Sequence, residues 1–214
     1  MLPIKRFTSS ICCLSLFMLA SLPLQASIVS ADDPVFGIGS ITRDTDTGLE
    51  WLDLHHSSGR TLADVVLQFG QGGDFEGFRY ASLLEVDTLF QHFGLELTDG
   101  VERVEYFPLA NTLFSFLGTT STAPGVGEVA FGVTNTPGPI GNFRIAMVQT
   151  TIFNFPEKGL AIASDAFPST FRADQVSSHW LVREAAVVPL PPALLMFTSA
   201  LLGLRLGFPR NTSN

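Results

Sequence analysis

Cysteine is almost absent from this chain. Its 214 residues include two cysteines, Cys12 and Cys13, and both lie in an N-terminal stretch that we expect to be removed. The remaining chain would hold none, which excludes a disulfide framework, a cysteine zinc site and a cysteine nucleophile. A packed core must therefore hold the fold together, and residues 27–184 are numerous enough for one domain with a single core.

Basic residues are scarce in the same body. Residues 27–184 contain all 20 acidic residues but only eight of the 12 lysines and arginines, a net charge of −12 with histidine neutral. Lys158 is the only lysine there. This charge argues against nucleic acid or anionic lipid as a partner. It suits a soluble extracytoplasmic body, and it could attract divalent cations.

Catalytic motifs are also missing. The chain has no Gly-x-Ser-x-Gly motif, and none of its four histidines stands in a His-x-x-x-His or His-Glu-x-x-His pattern. His55 and His56 are adjacent and on a strand would point to opposite faces, while His92 and His179 are isolated. We therefore predict no enzyme activity. A carboxylate pair for glycoside hydrolysis leaves no sequence pattern, so an extracellular hydrolase of that kind stays open as an alternative.

The N-terminus has the layout of a secretory signal peptide. Lys5 and Arg6 precede an apolar segment over 11–22, and the stretch closes with Leu24-Gln25-Ala26. We expect signal peptidase to cut after Ala26, with Ala31 as the alternative site. Residues 1–26 are thus a signal peptide, and residues 27–184 form an exported domain.

The C-terminal residues 185–214 combine three features. A proline-rich segment, Val188-Pro189-Leu190-Pro191, leads into an uncharged apolar run that ends at Leu204. Arg205 and Arg210 follow it. This order predicts a short membrane helix that begins near Pro192, with the two arginines inside and the acidic body outside.

The body itself predicts an α+β domain. Turn residues at 44–48 separate two alternating segments, which indicates a hairpin over 36–54 whose second strand is half buried. Three helix starts are predicted. The first helix begins after Thr61, the second begins after Ser82, which opens the capping box Ser82–Glu85, and the third begins near Leu109. Further strands are predicted over residues 78–81, 128–133, 143–152, 160–163 and 178–183. The expected fold is one domain with a mainly antiparallel sheet and two to three helices.

Four acidic residues around the first hairpin are candidate calcium ligands: Asp44, Asp46, Glu50 and Asp53. The Asp-x-Asp-x-Gly spacing at 44–48 resembles the start of a calcium loop. An EF-hand would need glycine where Leu49 stands and glutamate where His55 stands. A plain hairpin turn accounts for the same residues, so calcium is an open alternative at this point.

The tail resembles a known sorting signal. Val188-Pro189-Leu190-Pro191, the apolar run and the terminal arginines are similar to the PEP-CTERM signal of Gram-negative bacteria. Leu190 replaces the usual glutamate, and the basic residues are spread out instead of clustered. The resemblance implies transient anchoring in the inner membrane, processing by a membrane-embedded exosortase, and delivery to the cell surface or an exopolysaccharide matrix.

The body also resembles a type of bacterial surface domain. The segments 46–54, 77–81 and 180–183 follow the pattern of domains distantly akin to C-type-lectin-like and sulfatase-modifying folds. Sulfatase-modifying activity does not carry over because its cysteines are missing. The only two tryptophans, Trp51 and Trp180, lie in matching Trp-Leu segments, and we predict that their strands are neighbours in one sheet.

These observations leave three hypotheses. The first is a secreted, exosortase-processed surface or matrix protein without catalytic activity. The second is a lectin-like module that binds carbohydrate, such as exopolysaccharide, or calcium. The third is the carboxylate-based extracellular hydrolase.

Overall fold

The computed structural model describes residues 28–97, 100–123, 127–138, 143–153, 155–164 and 176–186. The chain separates into two compact units, Met1–Glu184 and Ala185–Asn214. The predicted signal peptide and the sorting tail, including Val188–Pro191, Arg205 and Arg210, lie outside the described residues. Within the described ranges, no helix is long and apolar enough to span a membrane.

The described residues form eleven strands, three α-helices and one 3₁₀ helix. The helices are α1 (Leu62–Leu67), α2 (Leu83–His92) and α3 (Tyr106–Leu117), and the 3₁₀ helix covers Leu54–Ser57. The strands are β1 (Ile28–Asp33), β2 (Gly37–Asp44), β3 (Leu49–Leu52), β4 (Arg60–Thr61), β5 (Arg79–Tyr80), β6 (Ser121–Ala123), β7 (Gly127–Pro137), β8 (Phe143–Thr151), β9 (Lys158–Ser164), β10 (Val176–Ser177) and β11 (Leu181–Glu184).

The strands form three antiparallel sheets. One has five strands in the order β1-β2-β3-β11-β5, another has four in the order β6-β7-β8-β9, and β10 pairs with β4. The prediction of an α+β body with a mainly antiparallel arrangement of strands and two to three helices is confirmed. β1, which the sequence pattern does not predict, gains its strand conformation by pairing along β2.

The first hairpin is confirmed, and its turn has the predicted chemistry. The N–H of Gly48 donates to the carbonyl of Asp44 at 2.9 Å, and Gly48 has a φ of +71°. The Asp44 carboxylate accepts a hydrogen bond from the N–H of Asp46 at 3.0 Å. One expectation was wrong: β3 is buried on both faces, Glu50 included, because it is an inner strand between β2 and β11.

The helices begin where the capping signals predict, with one exception. Thr61 and Asp64 form a capping box at α1, and Ser82 and Glu85 form another at α2. α3 begins at Tyr106, three residues before the predicted start. Pro108 therefore lies in its first turn, where a missing backbone N–H costs no intrahelical hydrogen bond.

The two tryptophans meet in the main core. Trp51 lies in β3, Trp180 directly precedes β11, and Val182 pairs with Trp51. Their rings lie 6.3 Å apart at an interplanar angle of 83°. The strand predicted over 178–183 begins only at Leu181, because the backbone of residues 178–180 bonds to Val133 of β7 instead. The prediction that the two tryptophan-bearing segments are neighbours in one sheet is nevertheless confirmed.

Trp180 also ties the five-stranded sheet to the four-stranded one. Its indole N–H donates to the carbonyl of Ala146 at 3.0 Å, and its backbone N–H donates to the carbonyl of Val133 at 3.0 Å. Gly132 pairs with Ala146 across β7 and β8. A Cβ atom on Gly132 would lie 2.9 Å from Cδ1 of Trp180. Gly132 and Ala146 therefore leave space for the indole ring.

We predict that Gly132→Ala destabilises the protein by about 1–3 kcal/mol, because the added methyl group overpacks the Trp180 site. Urea unfolding followed by tryptophan fluorescence measures the loss. Gly70→Ala is the matched control, since no atom lies within 4 Å of its Cβ position. The control should change stability by no more than about 0.5 kcal/mol. Equal losses in the two variants would contradict the packing role of Gly132.

Candidate functional site

A row of charged side chains crosses the five-stranded sheet. Arg43, Glu50 and Arg183 occupy paired positions on β2, β3 and β11. Glu50 is 3% exposed and accepts hydrogen bonds from Nε of Arg43 at 2.9 Å and from Nε of Arg183 at 2.8 Å. Arg183 also lies 2.8 Å from Oδ2 of Asp33 and 4.5 Å from the centre of the Phe78 ring.

Hydrogen-bond donors keep both buried carboxylates ionised. Burial alone raises the pKa of Glu50, but the hydrogen bonds from Arg183 and Arg43 outweigh it, so that pKa lies below its ordinary value. Burial likewise raises the pKa of Asp33. The backbone N–H groups of Val35 and Phe36, followed by Arg183, lower it below the ordinary value. The row is therefore a compensated structural network.

Two other predicted calcium ligands face a histidine. Asp44 is fully buried, and its Oδ2 lies 2.8 Å from Nδ1 of His92. Oδ2 of Asp46 lies 3.6 Å from Nε2 of the same ring. His92 is the last residue of α2, so this contact links the β2–β3 turn to the end of that helix. The sequence contains no local signal for this contact, because 48 residues separate His92 from Asp44.

Asp53, the fourth predicted ligand, is also buried. It is 8% exposed, and its buried Oδ1 has no hydrogen-bond partner among the described residues. Burial raises its pKa to about 7. The structure thus divides the four carboxylates among three environments: Glu50 with arginines, Asp44 and Asp46 with His92, and Asp53 alone. In the described part of the chain, no three His, Cys, Asp or Glu side chains are grouped to hold a metal ion.

His179 is buried and holds the end of the body in place. The phenol O–H of Tyr80 lies 2.9 Å from Nδ1 of His179, and Nε2 of His179 lies 3.1 Å from the carbonyl of Arg60. The carbonyl can only accept, so the Nε2–H tautomer, with Tyr80 donating to Nδ1, satisfies both contacts. Burial lowers the pKa of His179, which favours this neutral form. Only tertiary contacts connect these residues, and sequence spacing does not reveal them.

The adjacent histidines differ from the expectation. His55 and His56 lie in the 3₁₀ helix and not on a strand, and their ring centres are only 3.8 Å apart. The prediction that they point to opposite faces was therefore wrong. The turn geometry of a 3₁₀ helix, unlike the alternation of a strand, allows neighbouring rings to touch.

Two adjoining grooves follow α2. One has a volume of about 540 Å³ and the other about 420 Å³, and Asp87 and Leu97 line both. The larger is also lined by Gln91, Gly94, Leu95 and Glu96. The smaller is also lined by Ser82, Leu83, Leu84, Thr136 and Ala163. Together they offer a polar half with carboxylate and amide groups beside an apolar half.

The first residue of β1 and the last residue of β11 lie at the same end of the strands in the five-stranded sheet. Ile28 pairs with Asp44, Asp44 pairs with Leu49, and Leu49 pairs with Glu184. These four residues form a single row across neighbouring strands. The chain therefore enters β1 and leaves β11 at the same end of the strands, beside the β2–β3 turn.

Comparison with known proteins adds no family or fold relative: no family model, curated protein or solved structure matches this chain.

We predict that Asp53→Asn stabilises the protein at pH 8 but has little effect at pH 4. Because the folded-state pKa of Asp53 is raised, the wild-type protein loses stability as the pH rises from about 4 to about 7. A neutral amide avoids that loss, so the stability of the variant relative to wild type should rise by about 4 kcal/mol between pH 4 and pH 8. Thermal and urea unfolding at both pH values measure the difference.

Asp64→Asn is the control of opposite sign. The hydroxyl and N–H of Thr61 lower the pKa of Asp64, so its stabilising effect is present above its ordinary pKa and is lost as the pH falls. That variant should lose more stability at pH 8 than at pH 3. A pH-independent effect of Asp53→Asn would show that the buried carboxyl does not titrate as described.

Proposed function

We propose that this protein is exported and processed by an exosortase, and that its body acts as a non-catalytic component of the cell surface or of an exopolysaccharide matrix. Signal peptidase removes residues 1–26. The apolar run after Pro191 holds the protein transiently in the inner membrane, and cleavage near Pro189–Pro191 then releases the body. The tail motif and the acidic charge of the body are the sequence features behind this proposal.

The tail motif is the single observation that carries the proposal. Val188-Pro189-Leu190-Pro191 precedes an uncharged apolar run that ends at Leu204, and Arg205 and Arg210 follow that run. This order supports a transient membrane anchor after the body.

The mature C-terminus tests this function. Mass spectrometry of the protein from producing cells should find a chain that ends near Pro189–Pro191, whereas cells without the exosortase should retain Asn214. Replacing both Pro189 and Pro191 with alanine should block the cut, and Pro209→Ala, beyond the apolar run, should not. A chain that ends in Asn214 in both cell types would remove the processing claim.

The α2 grooves favour a second candidate function, the binding of a neutral polysaccharide. Sugar hydroxyl groups donate and accept hydrogen bonds, which the side chains of Asp87, Gln91 and Glu96 can complement in the larger groove. The apolar groove beside it can cover the hydrophobic face of a sugar ring. The lectin-like hypothesis also includes calcium binding, which stays a prediction.

Glycan-array binding with and without calcium tests this second function. Gln91→Ala should weaken polysaccharide binding about tenfold, because one hydrogen-bonding group is lost from the groove. Thr112→Ala, an exposed change on α3, is the matched control and should bind like wild type. Equal binding by Gln91→Ala and wild type, or no binding by wild type, would contradict this function.

A further inference from the structure

The ring of His92 lies between two carboxylates of the β2–β3 turn. Its Nδ1 faces Oδ2 of Asp44 at 2.8 Å, and its Nε2 faces Oδ2 of Asp46 at 3.6 Å. The side chain of His92 is 17% exposed and that of Asp46 is 52% exposed. One nitrogen therefore points to a buried acceptor, and the other points towards a site open to solvent.

Asp44 is placed to orient the ring. Its Oδ1 accepts hydrogen bonds from the backbone N–H groups of Asp46 at 3.0 Å and Thr47 at 3.4 Å. Its Oδ2 is left for His92, and a carboxylate at that distance fixes the proton on Nδ1. Histidines that bind metal ions commonly donate their second ring N–H to a carboxylate in this way, which fixes the tautomer and raises the basicity of the ligating nitrogen.

With the proton on Nδ1, the lone pair of Nε2 and the carboxylate of Asp46 are two acceptors that face each other. A cation between them could bind to both. Their 3.6 Å separation is longer than a usual N–H···O hydrogen bond of about 2.7–3.2 Å. It is close to the spacing of about 3.3–3.4 Å expected for two tetrahedral ligands that each lie about 2.0–2.1 Å from one zinc ion.

We propose that His92 and Asp46 bind a divalent transition-metal ion of the Zn²⁺ type, with Asp44 as the positioning residue. Water completes the coordination, because only these two side chains are ligands. The imidazole nitrogen distinguishes this site from the predicted calcium site, since calcium prefers oxygen ligands. The bound ion would clamp the β2–β3 turn to the end of α2, and the acidic body would attract it.

Isothermal titration of the full-length chain in detergent with Zn²⁺ alone tests the proposal, with Cys12→Ser and Cys13→Ser in every variant to remove the two thiols. Wild type should bind one Zn²⁺ in a His92-dependent manner. His92→Gln and Asp46→Asn should each weaken that affinity at least tenfold, and Asp44→Asn should weaken it about 10–100-fold without changing the stoichiometry. His56→Gln is the matched control, because it removes one of the two adjacent imidazole rings of His55 and His56. This variant should bind Zn²⁺ like wild type.

Co²⁺ provides a second readout. Its visible absorption should change on binding to wild type and to His56→Gln, and the change should be lost in His92→Gln. Circular dichroism verifies folding, and Asp46→Asn, at an exposed turn position, serves if His92→Gln does not fold. Zn²⁺ affinity that is unchanged in Asp46→Asn, or the absence of binding by wild type, would overturn the proposal.

Discussion

The pairing of β11 with β3 is the interaction on which the rest of the structure depends. It joins the last strand of the body to one of the first, and 133 residues separate Glu50 from its partner Arg183. Closing so long a loop costs conformational entropy, which the burial of Trp51 against Trp180 helps to offset. Because Trp180 also bonds the backbone of β7 and β8, the same pairing joins the two larger sheets.

The same pairing determines the state of the charged residues. Arg183 reaches Glu50 and Asp33 only when β11 lies beside β3. A buried carboxylate without such a partner would be strongly unfavourable, so these ions and the sheet depend on each other. The acidic residues that the sequence predicts as cation ligands therefore have different partners in the structure. Asp46 keeps a solvent-exposed carboxylate, which is why it is the one that can act as a ligand beside His92.

Local features of this fold could be predicted because their causes are local. The capping boxes at Thr61 and Ser82 need only residues three positions apart, and the turn that ends at Gly48 needs only its own side chains. That the Trp51 and Trp180 segments are neighbours was predicted for a different reason, since they carry matching Trp-Leu patterns and resemble the terminal strands that lie together in C-type-lectin-like folds. The burial of both faces of β3 was not predictable, because alternation does not reveal whether a strand is central in its sheet.

By itself, the sequence determines the excess negative charge of residues 27–184, their lack of cysteine, the β2–β3 turn and the starts of α1 and α2. Composition and short-range spacing carry all of these. The tertiary structure alone decides which carboxylates are compensated, that Tyr80 and His179 satisfy each other, and that His92 lies between Asp44 and Asp46. Strand register decides these contacts, and register follows from the packing of distant segments around one core.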